Sequence, residues 1–331
     1  MPRRPPAVAR VLERVTKTAR EHEMFEPGDL VLVSCSGGPD SVCLLYSLWH
    51  LRRLFKIRLA VFHFDHRLRP DSAKDAAYVR TVAGRLGLPL HLRVAEDAPI
   101  KGESVEAWGS TARSRARAEV AAEIGAAKIA RAQTLDDRAE WVLICLLAGA
   151  GPLGLAGPSP HHGSDVQPLF EVAREEVLAF CRALHLRPRY DPTNEDTSKL
   201  RAAIRHEVLP VMERVRRGGA RKAIARTAEQ VRMIEPLIRR EVDARAVGSD
   251  RWDGGFRFTV DRIHEARFEF IDRISLASEF RVMGHRVTEA DVEAVIDLAR
   301  GRAGRRRDLS GGLKAVREKE YVRVSRASPE S

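Results

Sequence analysis

Cysteine is scarce in this chain of 331 residues: Cys35, Cys43, Cys145 and Cys181 are its four, scattered and set among apolar neighbours. No Cys-x-x-Cys pair occurs, which excludes zinc-knuckle and dithiol redox chemistry and leaves buried thiols in a reducing compartment as the simplest expectation. Aromatic residues make up 6%, with four Tyr and four Trp, so stacking platforms for single-stranded bases are few. No run approaches the ~18 apolar residues of a membrane span. The opening Met-Pro-Arg-Arg-Pro-Pro leads into an amphipathic pattern rather than the apolar core of a signal peptide. A cytoplasmic protein without a membrane partner is expected. A Gly-x-x-x-x-Gly-Lys-Ser/Thr loop is also missing, which argues against hydrolysis at a γ-phosphate.

What the chain has in excess is positive charge. Lys plus Arg number 57 and Asp plus Glu 46, a net charge of +11, which favours a polyanionic partner. With 44% apolar residues there is material for an ordinary core, and the length suits about two domains.

The stretch Leu30 to Ser41, Leu-Val-Leu-Val-Ser-Cys-Ser-Gly-Gly-Pro-Asp-Ser, organises the rest. The apolar run reads as a buried strand, and Val42, Leu44, Leu45 and Leu48 recur at helical spacing. The turn between them puts unpaired helix N–H groups in front of whatever lies there, which favours an anion. Gly37 and Gly38 let the backbone approach a phosphate, Ser36 and Ser41 add hydroxyls, and Pro39 suits a first helical turn. Asp40 would face a ribose, a metal or the helix dipole. An ordinary capped turn is the alternative reading of the same residues.

Along the chain, helical spacing predicts a helix over about 7–22, and further helices over about 72–86, 104–124, 136–147 and 174–184. Strands are predicted at 57–64, 89–94, 127–130 and 166–170. This alternation implies an α/β fold with a parallel sheet and helices on both faces, whose ligands bind at the carboxyl ends of the strands. A basic helix over about 199–215 carries Arg201 and Arg205, and Gly218-Gly219 then punctuates the chain. The expected division is a catalytic domain over 1–217, a smaller, mainly helical domain with a terminal hairpin over 218–325, and a disordered tail at 326–331. In the second domain, helices are predicted over about 220–247, 262–281 and 288–299, with a strand at 256–260.

Residues following the strands collect on one rim. After the second strand come His63, His66, Arg67 and Arg69, and after the fourth come Asp136, Asp137 and Glu140. Asp137 and Glu140 share a helix face. They could hold Mg²⁺ or act as a base, or simply complement a helix N-terminus. Two loop histidines without a cysteine partner suit substrate positioning better than metal binding. Gly149-Ala-Gly-Pro-Leu-Gly154 matches a dinucleotide fingerprint by letter, but it follows a helix and contains Pro152, so it reads as a flexible loop.

Ser36-Gly-Gly-Pro-Asp-Ser41 resembles the phosphate loop of N-type ATP pyrophosphatases. The markers Ser36 to Ser41, His63-x-x-His66-x-Leu-Arg69-Pro, Asp136-Asp137-x-Ala-Glu140, Gly149 to Gly157, Asp191-Pro-Thr-Asn194 and Arg201-x-x-Ile-Arg205 together resemble the bacterial tRNA(Ile)-lysidine synthetases, from Asp29 to about Met212. The resemblance implies a parallel-sheet nucleotide-binding fold, and adenylation by ATP of the wobble cytidine in the CAU anticodon of tRNA(Ile), followed by displacement of AMP by free L-lysine. It implies that Ser36, Gly37, Gly38, Pro39, Asp40, Ser41, His63 and Arg113 bind ATP, with Asp40 on Mg²⁺. It further implies catalytic roles for Asp40, Asp137, Glu140 and Arg205, and tRNA or phosphate contacts for Arg69, Arg201 and Arg205. A homodimer is admissible. A cytidine-thiolating relative and a paralogue that holds ATP or tRNA without turnover are the alternatives.

Overall fold

The computed structural model describes residues 4–67, 71–99, 105–190, 195–246, 250–263, 269–285 and 288–326, in two units that meet between Val231 and Arg232. The first unit begins with α1 (Pro6–Glu21), β1 (Leu30–Ser34), α2 (Pro39–Phe55), β2 (Arg58–Asp65), α3 (Ser72–Leu86), β3 (Leu90–Val94), α4 (Val105–Glu123) and β4 (Lys128–Ala130). It continues with α5 (Leu135–Leu147), α6 (Pro152–Leu155), β5 (His161–His162), β6 (Asp165–Val166), α7 (Arg174–Ala183), α8 (Leu200–Ala203) and α9 (Leu209–Arg216).

Six strands form one sheet in the order β3-β2-β1-β4-β6-β5, parallel except for the β5–β6 pair. The order explains the layering. The chain moves outward from β1 to β3 and then returns to the other side of β1, and right-handed crossovers place helices made in opposite directions on opposite faces. Val31 and Val33 of β1 accordingly pack with α1, α2, α3 and α7, whereas Leu32, Phe62 and Ile129 pack beneath Trp108, Ala112, Ala116 and Val120 of α4. The reversal between β1 and β4 is the switch point where such sheets bind ligands.

The sequence predicts a strand over 166–170, but β6 ends at Val166. Pro168 has no N–H to give to a ladder, and Phe170 N donates instead to Gln167 O at 3.0 Å, closing a turn. The expected helix over 199–215 is interrupted by a π-helical turn, Ile204–Val208, between α8 and α9. Such turns recur at functional sites, and this one carries Arg205.

Helix α10 (Ala220–Ala246) contains the boundary between the units, and Gly218-Gly219 lies within the first. The second unit adds β7 (Asp250–Trp252), β8 (Gly255–Thr259), α11 (Glu269–Val282), α12 (Glu289–Arg300), β9 (Arg306–Asp308), β10 (Leu313–Arg317) and β11 (Tyr321–Arg326). The expected terminal hairpin is β10–β11, inside a five-stranded antiparallel sheet ordered β7-β8-β11-β10-β9. Alternate residues Leu313, Ala315, Val322 and Val324 are buried with Phe256, Phe280, Val295 and Ile296, the period-two pattern of a sheet covered on one side. The helix expected over 262–281 is resolved as a 3₁₀ turn, Val260–Ile263, followed by α11. Of the tail expected at 326–331, Arg326 closes β11 and the remaining residues lie outside the described ones. Among the described residues no helix is long and apolar enough to cross a membrane.

Candidate active site

The turn after β1 is built from its own hydroxyls. Ser41 Oγ accepts from Gly37 N at 3.2 Å, donates to Gly38 O at 2.9 Å and lies 3.2 Å from Ser36 Oγ. Gly37 sits at φ +94 with the ideal Cβ position within 3.6 Å of Tyr78, Val79 and Arg189, so glycine is required there by conformation. Arg189 N donates to Gly37 O at 2.9 Å, while its guanidinium holds Asp75 at 2.8 Å. Pro39 occupies the first turn of α2, and no side chain caps that helix. Its leading N–H groups therefore remain directed at the space in front of the turn.

Asp40 stands beside that space. Its Oδ2 accepts from Arg174 Nη1 at 3.3 Å, and its Oδ1 is buried without a hydrogen-bond partner among the described residues. Burial, then repulsion from Asp137, push its carboxyl up to about 6 against the pull of Arg174 and Arg205. A carboxylate held at that value, with one oxygen orphaned, suits a cation delivered together with phosphates. No group of three or more His, Cys, Asp or Glu among the described residues could hold a metal by itself. Mg²⁺ does not need one, because it is commonly held by one or two carboxylates and the substrate's phosphates. The residues present fit Mg²⁺ in that manner.

Helix α5 begins with a capping box: Asp137 N donates to Thr134 Oγ1 at 3.3 Å, and Thr134 N donates to Asp137 Oδ2 at 2.9 Å. The helix-cap reading of this acidic pair thus holds for one oxygen of Asp137. The other, Oδ1, accepts from Arg201 Nη2 at 3.1 Å and Arg205 Nη2 at 3.3 Å. Glu140, one turn on, is wholly buried. Its Oε1 accepts from Arg205 Nε at 2.6 Å, and its Oε2 from Arg201 Nε at 2.9 Å and Arg205 Nη2 at 2.8 Å. Burial opposes the charge of Arg205, but Glu140, Asp137 and Asp40 outweigh it and raise its pKa. The resemblance implied a catalytic role for Glu140. Its carboxylate lies closed beneath two guanidinium groups.

Asp136 faces away from this cluster, bonded through Oδ2 to Arg174 N at 2.8 Å and paired through Oδ1 with Arg221 Nε at 2.8 Å. Arg174 therefore touches Asp40 with its side chain and Asp136 with its backbone. Neither Arg174 nor Arg221 belongs to a short motif. They follow other elements and meet the acids only through the fold, so the sequence reading missed them; the sole hint was that Arg174 opens a helix after the last strand.

His63 is buried and places Nδ1 2.8 Å from Cys35 O. A carbonyl only accepts, so Nδ1 carries the proton and the ring braces the strand end next to the turn. His66 packs on Phe64 and Trp108. Burial, then Arg113, lower its pKa to about 4, so it is neutral at physiological pH. Arg113 is exposed on α4. Arg69 and Asp191 to Asn194 lie outside the described residues. Burial raises the thiols of Cys35, Cys43, Cys145 and Cys181, the last to about 12, which keeps them from being thiolate nucleophiles.

Residues 8–212 match the family model of the PP-loop domain. The tRNA(Ile)-lysidine synthase of Symbiobacterium thermophilum is 35% identical over 302 residues, covering 88% of this chain and 61% of the relative. The corresponding protein of Solibacter usitatus is 34% identical over 313 residues, covering 91% and 68%. That of Thermus thermophilus is 38% identical over 229 residues, covering 68% and 44%. The chain thus spans about half to two thirds of the length of these relatives. Among solved structures, a U34-tRNA thiolase from Methanococcus maripaludis, described with its [4Fe-4S] cluster, superposes with a TM-score of 0.60 at 17% identity, over 68% of this chain and 78% of that one. That likeness is one of fold.

Proposed function

This chain belongs to the PP-loop family and, within it, to the tRNA(Ile)-lysidine synthases, and on that premise we propose that it uses ATP to join free L-lysine to C2 of the wobble cytidine in the CAU anticodon of tRNA(Ile). The observation that carries this reading is the convergence of the Ser36–Ser41 turn, Asp40 and the Asp137–Arg201–Arg205 array on one edge of the sheet.

In the first step the cytidine O2 attacks the α-phosphorus of ATP, the bond to the β-phosphate breaks, and pyrophosphate leaves. Ser36, Ser41 and the N–H groups of the turn hold the departing phosphates, which stabilises charge as it develops. Asp40 holds Mg²⁺, which when bound neutralises phosphate charge. His63 fixes the strand end that presents the turn, and Arg113 supplies a further guanidinium on the same rim.

In the second step the ε-amine attacks C2, the C2–O bond breaks, AMP leaves and the new nitrogen gives up a proton. Asp137, whose side chain is 15% exposed, presents a carboxylate for the amine or its proton. Arg205 and the more exposed Arg201 lie over it and face the anionic intermediate. Glu140 is a positioning residue that holds both arginines in place. The second unit, with Arg302, Arg305, Arg306 and Arg307 exposed around β9, supplies further contacts to tRNA phosphates, as does Arg69. The working enzyme is cytoplasmic and admits a homodimer.

The test is incubation of the purified chain with ATP, labelled lysine and a tRNA(Ile) transcript bearing CAU. Label is expected on the tRNA and is expected to vanish when the wobble cytidine is replaced. Micromolar enzyme that leaves the tRNA unlabelled would refute the reading.

A further inference from the structure

We propose that Arg117 and Arg131 form a second anion subsite, on the α4 side of the sheet's carboxyl edge, that takes an RNA phosphodiester beside the target base. The inference rests on the functional reading above and adds a pair of residues outside the motifs that carry it.

Strand alternation brings the two together. Ile129 of β4 packs under α4, so Arg131, two residues further on, projects to the same side, as does Asp165, which pairs with Ile129. Arg131 Nε lies 3.2 Å from Asp165 Oδ1, and these side chains are 39% and 35% exposed. Arg117 comes from α4 itself and is 8% exposed. Its Nη2 donates to Ser114 Oγ at 3.5 Å, and no carboxylate among the described residues lies within 4.0 Å of it.

Asp165 is thus taken up by Arg131, and Arg117 is left without a carboxylate of its own among the described residues. A buried cation without its own counter-ion is costly. Here burial, then Arg131, lower the pKa of Arg117 to about 10, with Asp165 opposing. Two further polar atoms point to a missing ligand. Ser34 Oγ and Gln167 Oε1 are buried without partners among the described residues. Ser34 lies two residues beyond Leu32, which faces α4, and Gln167 directly follows the end of β6. Arginine forks match phosphate oxygens, and the half-open Arg131 gives entry to the buried Arg117. The triphosphate of ATP belongs to the turn before α2, so the phosphate reaching this side is the RNA's.

The variants Arg117→Met and Arg131→Met of the full chain test it by three measurements: tRNA binding across a salt series, binding of a non-hydrolysable ATP analogue, and thermal unfolding. Each variant is expected to weaken tRNA binding about 5- to 30-fold and to reduce the slope of log K against log salt by about 0.9, the value for one lost phosphate contact. Affinity for the ATP analogue is expected to stay within about twofold, and the melting temperature of Arg117→Met is expected not to fall, since an uncompensated charge is removed. Unchanged tRNA affinity and slope would overturn the subsite. A parallel loss of ATP-analogue affinity would also overturn it, by giving the anion to the nucleotide. If Arg117→Met fails to fold, Arg131→Met, at a half-exposed position, reads the same quantities. Wild-type protein that binds no tRNA would overturn the functional reading and the subsite together, whereas tRNA binding indifferent to both arginines would overturn the subsite alone.

Discussion

Asp40→Asn is expected to lower turnover by about 10²–10³-fold or more while making the unliganded protein more stable. The side chain keeps its size and can still accept from Arg174, so the turn is preserved, but the charge proposed to hold Mg²⁺ is gone. The stability gain follows from the raised carboxyl. Asp40 titrates at about 6 in the folded chain and near 3.9 when unfolded, so folding prefers its protonated form. Its contribution is intact below about pH 4 and is lost as pH rises through about 6. Asp40→Asn and the wild type are therefore expected to melt together near pH 4. By pH 7.5 the variant is expected to lead by about 2 kcal/mol. In the same way, kcat/KM of the wild type is expected to fall on the acid side of about pH 6, where Asp40 protonates. A variant that retains turnover, or a stability difference that does not grow with pH, would remove Asp40 from the site.

Glu140→Ala carries the largest expected cost to stability. Arg205 donates to both oxygens of Glu140 and Arg201 to one, and the carboxylate has no exposed surface. Its removal leaves the two guanidinium groups with Asp137 Oδ1 alone among the bonds described above. Breaking a buried pair in this way costs about 3–5 kcal/mol, or roughly 10 °C in melting temperature for a unit of this size. Because the groups form one network, Glu140→Ala combined with Arg205→Ala is expected to lose less than the sum of the single changes. Thermal unfolding of the three variants measures this. If Glu140→Ala melts within about 2 °C of wild type yet fails to transfer lysine, Glu140 acts on substrate directly and its assignment as a positioning residue is wrong.

The parallel sheet was legible because its strands are apolar on both faces, as Val31, Leu32 and Val33 illustrate, and because α2 begins at a proline just beyond two glycines. The acidic pair was legible as chemistry but ambiguous in role. Spacing put Asp137 and Glu140 on one face, yet only the packing of the π-helical turn reveals that Arg201 and Arg205 cover Glu140. Arg174 and Arg221 were out of reach, since a partner that lies 134 residues away, as Asp40 does from Arg174, leaves no local periodicity. The edge strands β7 and β9 were missed for another reason. Each is three residues long and fully exposed, and short charged edges carry little strand signal. Val166 to Phe170 has the apolar content of a strand, but Pro168 has no N–H for a ladder, so β6 ends at Val166.

The central claim is that the turn from Ser36 to Ser41 clasps ATP so that AMP is transferred to a nucleic-acid base. The most direct measurement follows ATP labelled in turn at the α- and γ-phosphates, in the presence of tRNA(Ile) and lysine. The account predicts that the label leaves as AMP and pyrophosphate, in equal amounts to the lysine joined to tRNA and only when tRNA is present. Release of ADP and inorganic phosphate, or AMP formation indifferent to tRNA, would contradict it.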